Sequence, residues 1–320
     1  MLLSGWGWYV KMPPLSIMNV SIILLNWNAA ADTIACLQPM LAWQQVRPCL
    51  IVVDNASQGD DVAQIRQALP GVHLIENERN EGFSGGSNRG MAYALARGDD
   101  PILLLNNDAM IGETAVLRLA QTLQEQPDIG MVVPQLLDEH GELVAVGGKN
   151  PAFHLQTRVQ SFADDVPVQP VETISGTAVL IRATMLRQVG LLDERFFFST
   201  EMADLSLRAR QHGFVCAVDR RAQASHTISR SAPLRSSLYV YYIVRNRFLI
   251  LRNHYRWRLD LHSFWLAYTV ALWLKLWLGG QRVTAKAVWL ALGDGVNGRF
   301  GGQNERVLAA CAEVSRSSPK

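Results

Sequence analysis

Apolar residues along this chain come in short unbroken runs that stop abruptly in amides or carboxylates. Val20-Ser21-Ile22-Ile23-Leu24-Leu25 ends in Asn26-Trp27-Asn28, Leu50-Ile51-Val52-Val53 in Asp54-Asn55-Ala56-Ser57, and Leu103-Leu104-Leu105 in Asn106-Asn107-Asp108. Continuous rather than alternating apolarity predicts strands buried on both faces, as in parallel sheets. Helical spacing follows from Asp32 towards Trp43 and from Asp60 to Leu69, a further short strand is predicted at Val72 to Ile75, and a helix near Ser84. Strands alternating with helices of this size predict an α/β fold with a mostly parallel sheet between helices. Three strands that all end in Asn or Asp put polar groups at one sheet edge, where open α/β sheets bind ligands. Taken singly, an Asn-Asn-Asp end after a strand is more often an Asx turn capping the next helix.

Asp108 is a hard anionic oxygen donor with two carboxamides before it, a ligand chemistry suited to Mg2+ or Mn2+ on phosphates. The stretch Asn77 to Gly90, with Gly82, Gly85, Gly86 and Gly90, permits close backbone approach and opens a helix whose free N–H groups face outward. Its spacing matches neither the dinucleotide fingerprint nor a P-loop.

Together and in order, VSIILLNWN, VVDNAS, NEGFSGGSNRG and LLLNND resemble the inverting family 2 glycosyltransferases of the GT-A fold, closest to the rhamnosyltransferase-like branch of bacterial surface polysaccharide synthesis. The resemblance continues through Ile174-Ser175-Gly176-Thr177-Ala178, Val189 to Phe197 and Asp204-Leu205-Ser206-Leu207-Arg208 to His226. It implies that Asn28, Asp54 and Asn55 hold the base and ribose of a nucleoside diphosphate sugar donor, with Asn80, Gly82, Phe83 and Asn88 closing over base and sugar. Asn106 and Asp108 occupy the outer positions of the family's D-x-D, which binds Mg2+ or Mn2+ on the diphosphate, and His226 matches a histidine near that metal. Ser175 and Gly176 would lie on the sheet floor beneath the donor sugar.

One departure concerns the base that must take the acceptor's proton. Relatives read Glu-Asp-x-Asp after the double Phe, and this chain reads Glu201-Met202-Ala203-Asp204, with Met202 where the presumed base stands. Glu201 is the first candidate for that role and Asp204 the second; both also suit the N-terminal dipole of the helix running to His212. His73, His140, His154, His212, His254 and His262 match no catalytic position.

The net charge is +2, yet from Arg221 to Trp257 seven arginines occur without one acidic residue. That asymmetry points to a polyanion. The next segment, Phe264 to Leu278, is almost wholly apolar, carries Trp265, Trp273 and Trp277, and is short for a span of about 20 residues. An interfacial helix or shallow re-entrant hairpin on the inner membrane surface is expected, with arginines from Arg245 to Arg299 either against lipid phosphates or on a solvated basic face, and no nucleic acid partner. The four cysteines form no C-x-x-C pair and are expected to be reduced, in a protein at the cytoplasmic face of a bacterial inner membrane.

The expected organisation is a disordered extension over 1–17, a GT-A catalytic domain over 18–232, a basic, aromatic, helical membrane-associating region over 233–302 and a tail over 303–320. The function expected is metal-dependent, inverting transfer of a sugar, rhamnose from dTDP-rhamnose by analogy, to a lipid-linked glycan acceptor. A sugar-phosphate nucleotidyltransferase would carry a Gly-rich basic loop where this chain has Asn26-Trp27-Asn28-Ala29-Ala30. An inactive membrane-bound scaffold is the reading that Met202 and Asn106 keep open. Removing residues 1–17 is expected to leave soluble, active protein, checked by expression and turnover of the shortened chain.

Overall fold

The computed structural model describes residues 17–98, 100–145, 147–159, 161, 166–226 and 233–317. Of the expected 1–17 extension only Ile17 is among them, and residue 232, the expected domain boundary, is not.

The amino-terminal half runs β1 (Met18–Asn26), α1 (Ala30–Leu37), β2 (Val46–Asp54), α2 (Asp61–Ala68), β3 (His73–Glu76), α3 (Gly82–Arg97) and β4 (Ile102–Leu105). Then come β5 (Ala109–Ile111), α4 (Glu113–Glu125), β6 (Ile129–Leu137), β7 (Leu143–Ala145), β8 (Val168–Val171), β9 (Ala178–Ile181), α5 (Ala183–Val189), α6 (Glu201–Gln211) and β10 (Val215–His226). Four further helices follow: α7 (Pro233–His254), α8 (Leu259–Leu278), α9 (Arg282–Asn297) and α10 (Asn304–Ser317).

Among the described residues the strands form one sheet in the order β3-β2-β1-β4-β9-β6-β10-β5, with β7 beside β6 and β8 beside β10. The first four strands are mutually parallel, as the alternation predicts. The second half is mixed, because β9 runs antiparallel to both β4 and β6 while β6 and β10 are parallel. The sheet is therefore mixed, with an unbroken parallel half in β3-β2-β1-β4 and antiparallel pairings confined to the other half and its junction at β4–β9. Short apolar runs such as Ala178–Ile181 carry no signal of strand direction, so this could not be read from pattern.

Successive side chains of each central strand enter opposite cores. Ile22 and Leu24 join Leu103 and Leu105 in one core; Ile23 joins Val53, Leu104 and Met91 in the other. Each such buried aliphatic side chain contributes about 1.5–3 kcal/mol from removal of apolar surface from water.

The glycines of α3 let that helix lie close on β1. A Cβ at Gly86 would stand 2.3 Å from Leu25 Cδ1, and one at Gly90 2.5 Å from Ile23 Cγ2 and 3.3 Å from Val53 Cγ2. Much of the Gly-rich motif therefore serves helix–sheet contact.

The carboxyl-terminal helices share cores with the sheet domain. Phe196 and Leu207 pack with Phe248 to Leu251 and Trp265, while Phe197 packs with Tyr241, Tyr242, Ala287 and Val307. Beyond Gly302, α10 is a helix of 14 residues with Val307 and Cys311 buried, more than the stub and tail expected there. Helices α8 and α9 turn back on one another through Gly279-Gly280-Gln281, with Trp273 and Trp289 ring centroids 4.8 Å apart. Among the described residues no helix is long and apolar enough to cross a membrane.

Helix propensity alone favours Gly90→Ala by about 1 kcal/mol. Overpacking against two stiff β-branched side chains costs about 1–3 kcal/mol, so Gly90→Ala is expected to lower the melting temperature. Gly71→Ala, whose Cβ meets nothing within 4 Å, is expected to stay within about 0.5 kcal/mol of the parent. Thermal melts of the pair check the assignment.

Candidate active site

Parallel register sets the polar strand ends side by side: Asn26 pairs with Asp54 across β1 and β2, and Asp54 with Glu76 across β2 and β3. Asn26, buried and not singled out by sequence, is the hub. Its Nδ2 reaches Asp54 Oδ1 at 2.8 Å, Asp61 Oδ1 at 3.0 Å and Ser57 Oγ at 3.1 Å, and its Oδ1 accepts from Thr33 Oγ1 at 2.8 Å. Asp54 Oδ2 accepts from the Ser57 N–H at 3.0 Å. Asn28, exposed and left-handed at φ 53°, accepts from the Gln58 N–H through Oδ1 at 2.6 Å. The loops after β1 and β2 are thereby sewn together.

Asn55 does similar work one layer over. Its Nδ2 donates to Asn80 Oδ1 at 3.0 Å and Gly82 O at 3.1 Å, and its Oδ1 accepts from Asn77 Nδ2 at 3.0 Å and the Glu81 N–H at 2.9 Å. Asn80 Oδ1 also accepts from the Gly82 N–H at 2.8 Å. Asn28, Asp54, Asn55, Asn80 and Gly82 thus share one edge. Asn88 lies nearly two turns further along α3. Its amide bonds the Leu192 N–H and C=O at 3.0 and 2.9 Å and Glu194 Oε1 at 3.0 Å, stapling α3 to that segment.

At the end of β4 the Asn106 N–H donates to Thr177 O at 2.9 Å, joining this edge to residues 175–177. A Cβ on Gly176 would lie 3.1 Å from both Phe83 Cζ and Met202 Cγ, so Phe83, Gly176 and Met202 converge. Met202 is 3% exposed and belongs to the core between sheet and helices. An apolar side chain fills the place where an acid was sought.

Strand β5 pairs antiparallel with β10 so that His226 faces Ala109, which brings its ring beside Asp108. Asp108 Oδ1 and His226 Nε2 are 3.2 Å apart, and Asp108 Oδ1 is buried with no hydrogen bond among the described residues. Two donors on neighbouring positions of an octahedral ion with bonds of about 2.0–2.1 Å stand about 3 Å apart, so this pair fits one divalent cation. No group of three or more His, Cys, Asp or Glu that could hold a metal occurs among the described residues. A cation here would complete its shell with phosphate oxygens and water. Cys36, nearby, donates to Ala109 O at 3.1 Å, and burial together with the charge of Asp108 pushes its thiol up to about 12.

The two candidate bases sit in one turn of α6 in opposite surroundings. Glu201, its first residue, is 7% exposed, and its Oε2 is buried without a partner among the described residues. Burial above all, helped by the charge of Asp204 and opposed by its own backbone N–H, raises its carboxyl to about 7. Asp204 is also buried, which by itself would raise it. Hydrogen bonds from His254 Nε2 at 2.8 Å, Arg208 Nε at 2.8 Å and Asn253 Nδ2 at 3.1 Å, with the Arg208 charge, instead hold it below the ordinary aspartate value. Asp204 therefore ties α6 to α7, and His254 is its partner.

The segment leading into Glu201 is strained. Phe197, Ser199 and Thr200 have φ of 64°, 66° and 75°, values that L side chains rarely adopt. Asn246 holds it, donating from Nδ2 to Ser199 O at 2.7 Å, Phe198 O at 2.9 Å and Phe196 O at 3.1 Å. Arg245 donates to Phe196 O at 2.9 Å, Arg195 O at 3.2 Å and Gly301 O at 2.5 Å. The expectation that arginines from Arg245 to Arg299 meet lipid phosphates is thus corrected for two of them. Arg245 is wholly buried and Arg247 stacks on Trp265 at 3.7 Å, whereas Arg299, paired with Asp294 at 3.5 Å, keeps its side chain 59% exposed.

Glycosyl transferase family 2 matches residues 21–190 of the chain. The low-salt glycan biosynthesis hexosyltransferase Agl10 of Haloferax volcanii is 25% identical over 240 residues, covering 72% of this chain and 75% of that protein. The dTDP-rhamnosyl transferase RfbF of Shigella flexneri is 24% identical over 251 residues, covering 74% and 81%. Among solved structures, the mannosyltransferase PcManGT from Pyrobaculum calidifontis in complex with GDP-Man and Mn2+ superposes with a TM-score of 0.52 at 13% identity, covering 94% of this chain and 88% of that one. At that identity the likeness speaks for the fold, which is GT-A. The matched region spans every sheet-edge loop from Asn26 to Thr177, and the chain belongs to glycosyl transferase family 2.

Proposed function

We propose that this glycosyltransferase moves a sugar with inversion from a nucleoside diphosphate donor to a hydroxyl of a lipid-linked glycan, with Glu201 as the base. The observation that carries the reading is the buried Oε2 of Glu201, which has no hydrogen-bond partner among the described residues, beside Met202, which with Phe83 flanks Gly176 at the sheet edge. A single displacement needs one group to take the acceptor proton as the hydroxyl oxygen attacks the anomeric carbon and the bond to the diphosphate breaks. Asp204, engaged by three donors, is poorly suited. Asp108 and His226 would hold Mg2+ or Mn2+, whose charge stabilises the leaving diphosphate when bound. Asn28, Asp54 and the turn built by Asn55 and Asn80 would form the nucleotide's seat, with Phe83, Ser175 and Gly176 around the sugar. Similarity to a dTDP-rhamnosyl transferase supports dTDP-rhamnose as the donor.

Surface chemistry supports a lipid-linked acceptor at the cytoplasmic face of a bacterial inner membrane. Along α8, Leu266, Val270, Leu274, Trp277 and Leu278 are exposed at helical spacing, and Trp289 on α9 adds to them. Such a contiguous apolar stripe on a monomer marks an interaction surface, and a helix carrying it suits the headgroup boundary of a bilayer.

A second reading, an inactive scaffold, draws on Met202 occupying the usual base position. Turnover separates the two. Wild-type protein with a panel of nucleotide sugars, Mg2+ or Mn2+ and a membrane extract is expected to release nucleoside diphosphate from one donor. Chelation or Asp108→Ala should abolish release, and Glu201→Gln should lower kcat by about 100- to 10,000-fold. Because Glu201 must be ionised to act, the rate should rise as pH rises through about 7. Silence with every donor favours the scaffold, and full activity of Glu201→Gln rejects the base.

For the surface, Leu274→Glu should weaken sedimentation with anionic lipid vesicles while leaving donor hydrolysis in solution unchanged. Equal sedimentation of variant and parent would count against this face.

A further inference from the structure

Arg245 and Asn246 are both fully buried on α7, about fifty residues after the segment they bind. Burying a guanidinium is expensive unless its donors are all met. Among the described residues no carboxylate bonds it directly, although the charge of Asp294, which accepts from Tyr241 Oη at 2.5 Å, favours the cation. Its donors go to backbone carbonyls and Asn246 Oδ1, and its faces are covered by Tyr242 at 4.7 Å, Tyr241 at 5.4 Å and Phe300 at 5.7 Å. Asn246, oriented by Arg245, takes the carbonyls of residues 196, 198 and 199 with one amide nitrogen. Phe197 is trapped from both sides: its carbonyl accepts from the Ser84 N–H at 3.2 Å, a Cβ on Gly82 would fall 2.3 Å from that carbonyl, and its ring stacks on Tyr242 at 5.4 Å. This chain of contacts ends at Thr200, left-handed, and then Glu201.

We infer that Arg245 and Asn246 are positioning residues for sugar transfer: their grip on the carbonyls of residues 195, 196, 198 and 199 holds the left-handed segment that aims Glu201, so the carboxyl-terminal helices complete the active site. The inference rests on the reading of Glu201 as base. Among the described residues the charge acting on Glu201 is that of Asp204 on its own helix, which is paired with Arg208 and hydrogen-bonded by His254 of α7, while Arg245 of α7 lies behind the preceding segment.

The test compares full-length wild type, Asn246→Ala, Asn246→Ser and Glu201→Gln for donor KM, kcat and the pH dependence of kcat, with circular dichroism to fix the folded fraction. A misaimed base loses about 100-fold in rate for a displacement near 1 Å. Asn246→Ala is therefore expected to lower kcat by about that factor with donor KM near the wild-type value. Its rising pH limb should move from about 7 towards the ordinary glutamate value of about 4.3 as water reaches the carboxylate. Asn246→Ser, which keeps one donor, should recover part of both. If Asn246→Ala does not fold, Asn246→Ser decides by the same readouts. A purely structural role would lower activity only in proportion to folded protein and leave the limb in place, which overturns the inference. So would an unchanged kcat. Full activity of Glu201→Gln removes the base assignment itself, whereas an inactive Glu201→Gln beside an unmoved limb in the Asn246 variants removes only the positioning role.

Discussion

Three left-handed non-glycine residues within four positions are the constraint on which the rest of this molecule turns. Phe197, Ser199 and Thr200 each cost about 1–3 kcal/mol in conformational strain. Such a segment persists only where its surroundings over-determine it. Here Asn246 and Arg245 hold its carbonyls, Gly82 and Gly302 leave room for Phe197, and Tyr242 covers the ring. Every major part of the chain contributes to that hold. The turn before α3 presses on it from the sheet edge, α6 begins from it, and α7 with the 301–302 loop closes it. Loosening any one of these would reach the others through a single backbone stretch.

Two acids in one helical turn show how environment rather than residue type assigns work. Asp204 has an arginine, a histidine and an asparagine around it and is held ionised, a fastener between α6 and α7. Glu201, three residues earlier, has an oxygen facing no partner and is pushed towards neutrality. Groups driven apart in this way are the usual mark of a divided acid–base task. The same contrast separates Asn88, with both amide groups engaged by residues 192 and 194, from Asp108, which retains a buried oxygen with no hydrogen bond.

How much of this was legible beforehand depended on whether the signal was local. Apolar runs that stop in amides announced β1, β2 and β4 and their common edge, because both burial and the break in it are written in consecutive residues. The Asp108–His226 approach followed only from family likeness, since the antiparallel register of β5 on β10 has no local signature. Asn26 was visible as a strand end, yet its role as hub was not, because the three acceptors of its amide nitrogen lie 28 to 35 residues away. Arg245 was misread for a related reason. An arginine among tyrosines on an otherwise basic stretch normally faces outward, and the carbonyls that justify its burial lie about fifty residues off in sequence. The mixed half of the sheet was hidden because four-residue strands such as β9 carry no direction.

The grip of α7 on the 195–199 segment also sets an order of events during synthesis. Domains fold largely as they emerge, amino-terminal parts first, so the sheet and its edge loops are complete in a nascent chain before α7 exists. The left-handed segment has no clamp until Asn246 has emerged and no closing carbonyl for Arg245 until Gly301 has. A chain still on the ribosome can therefore hold the framework of the sheet while residues 195–199 are unclamped, the clamp closing only once both Asn246 and Gly301 are available.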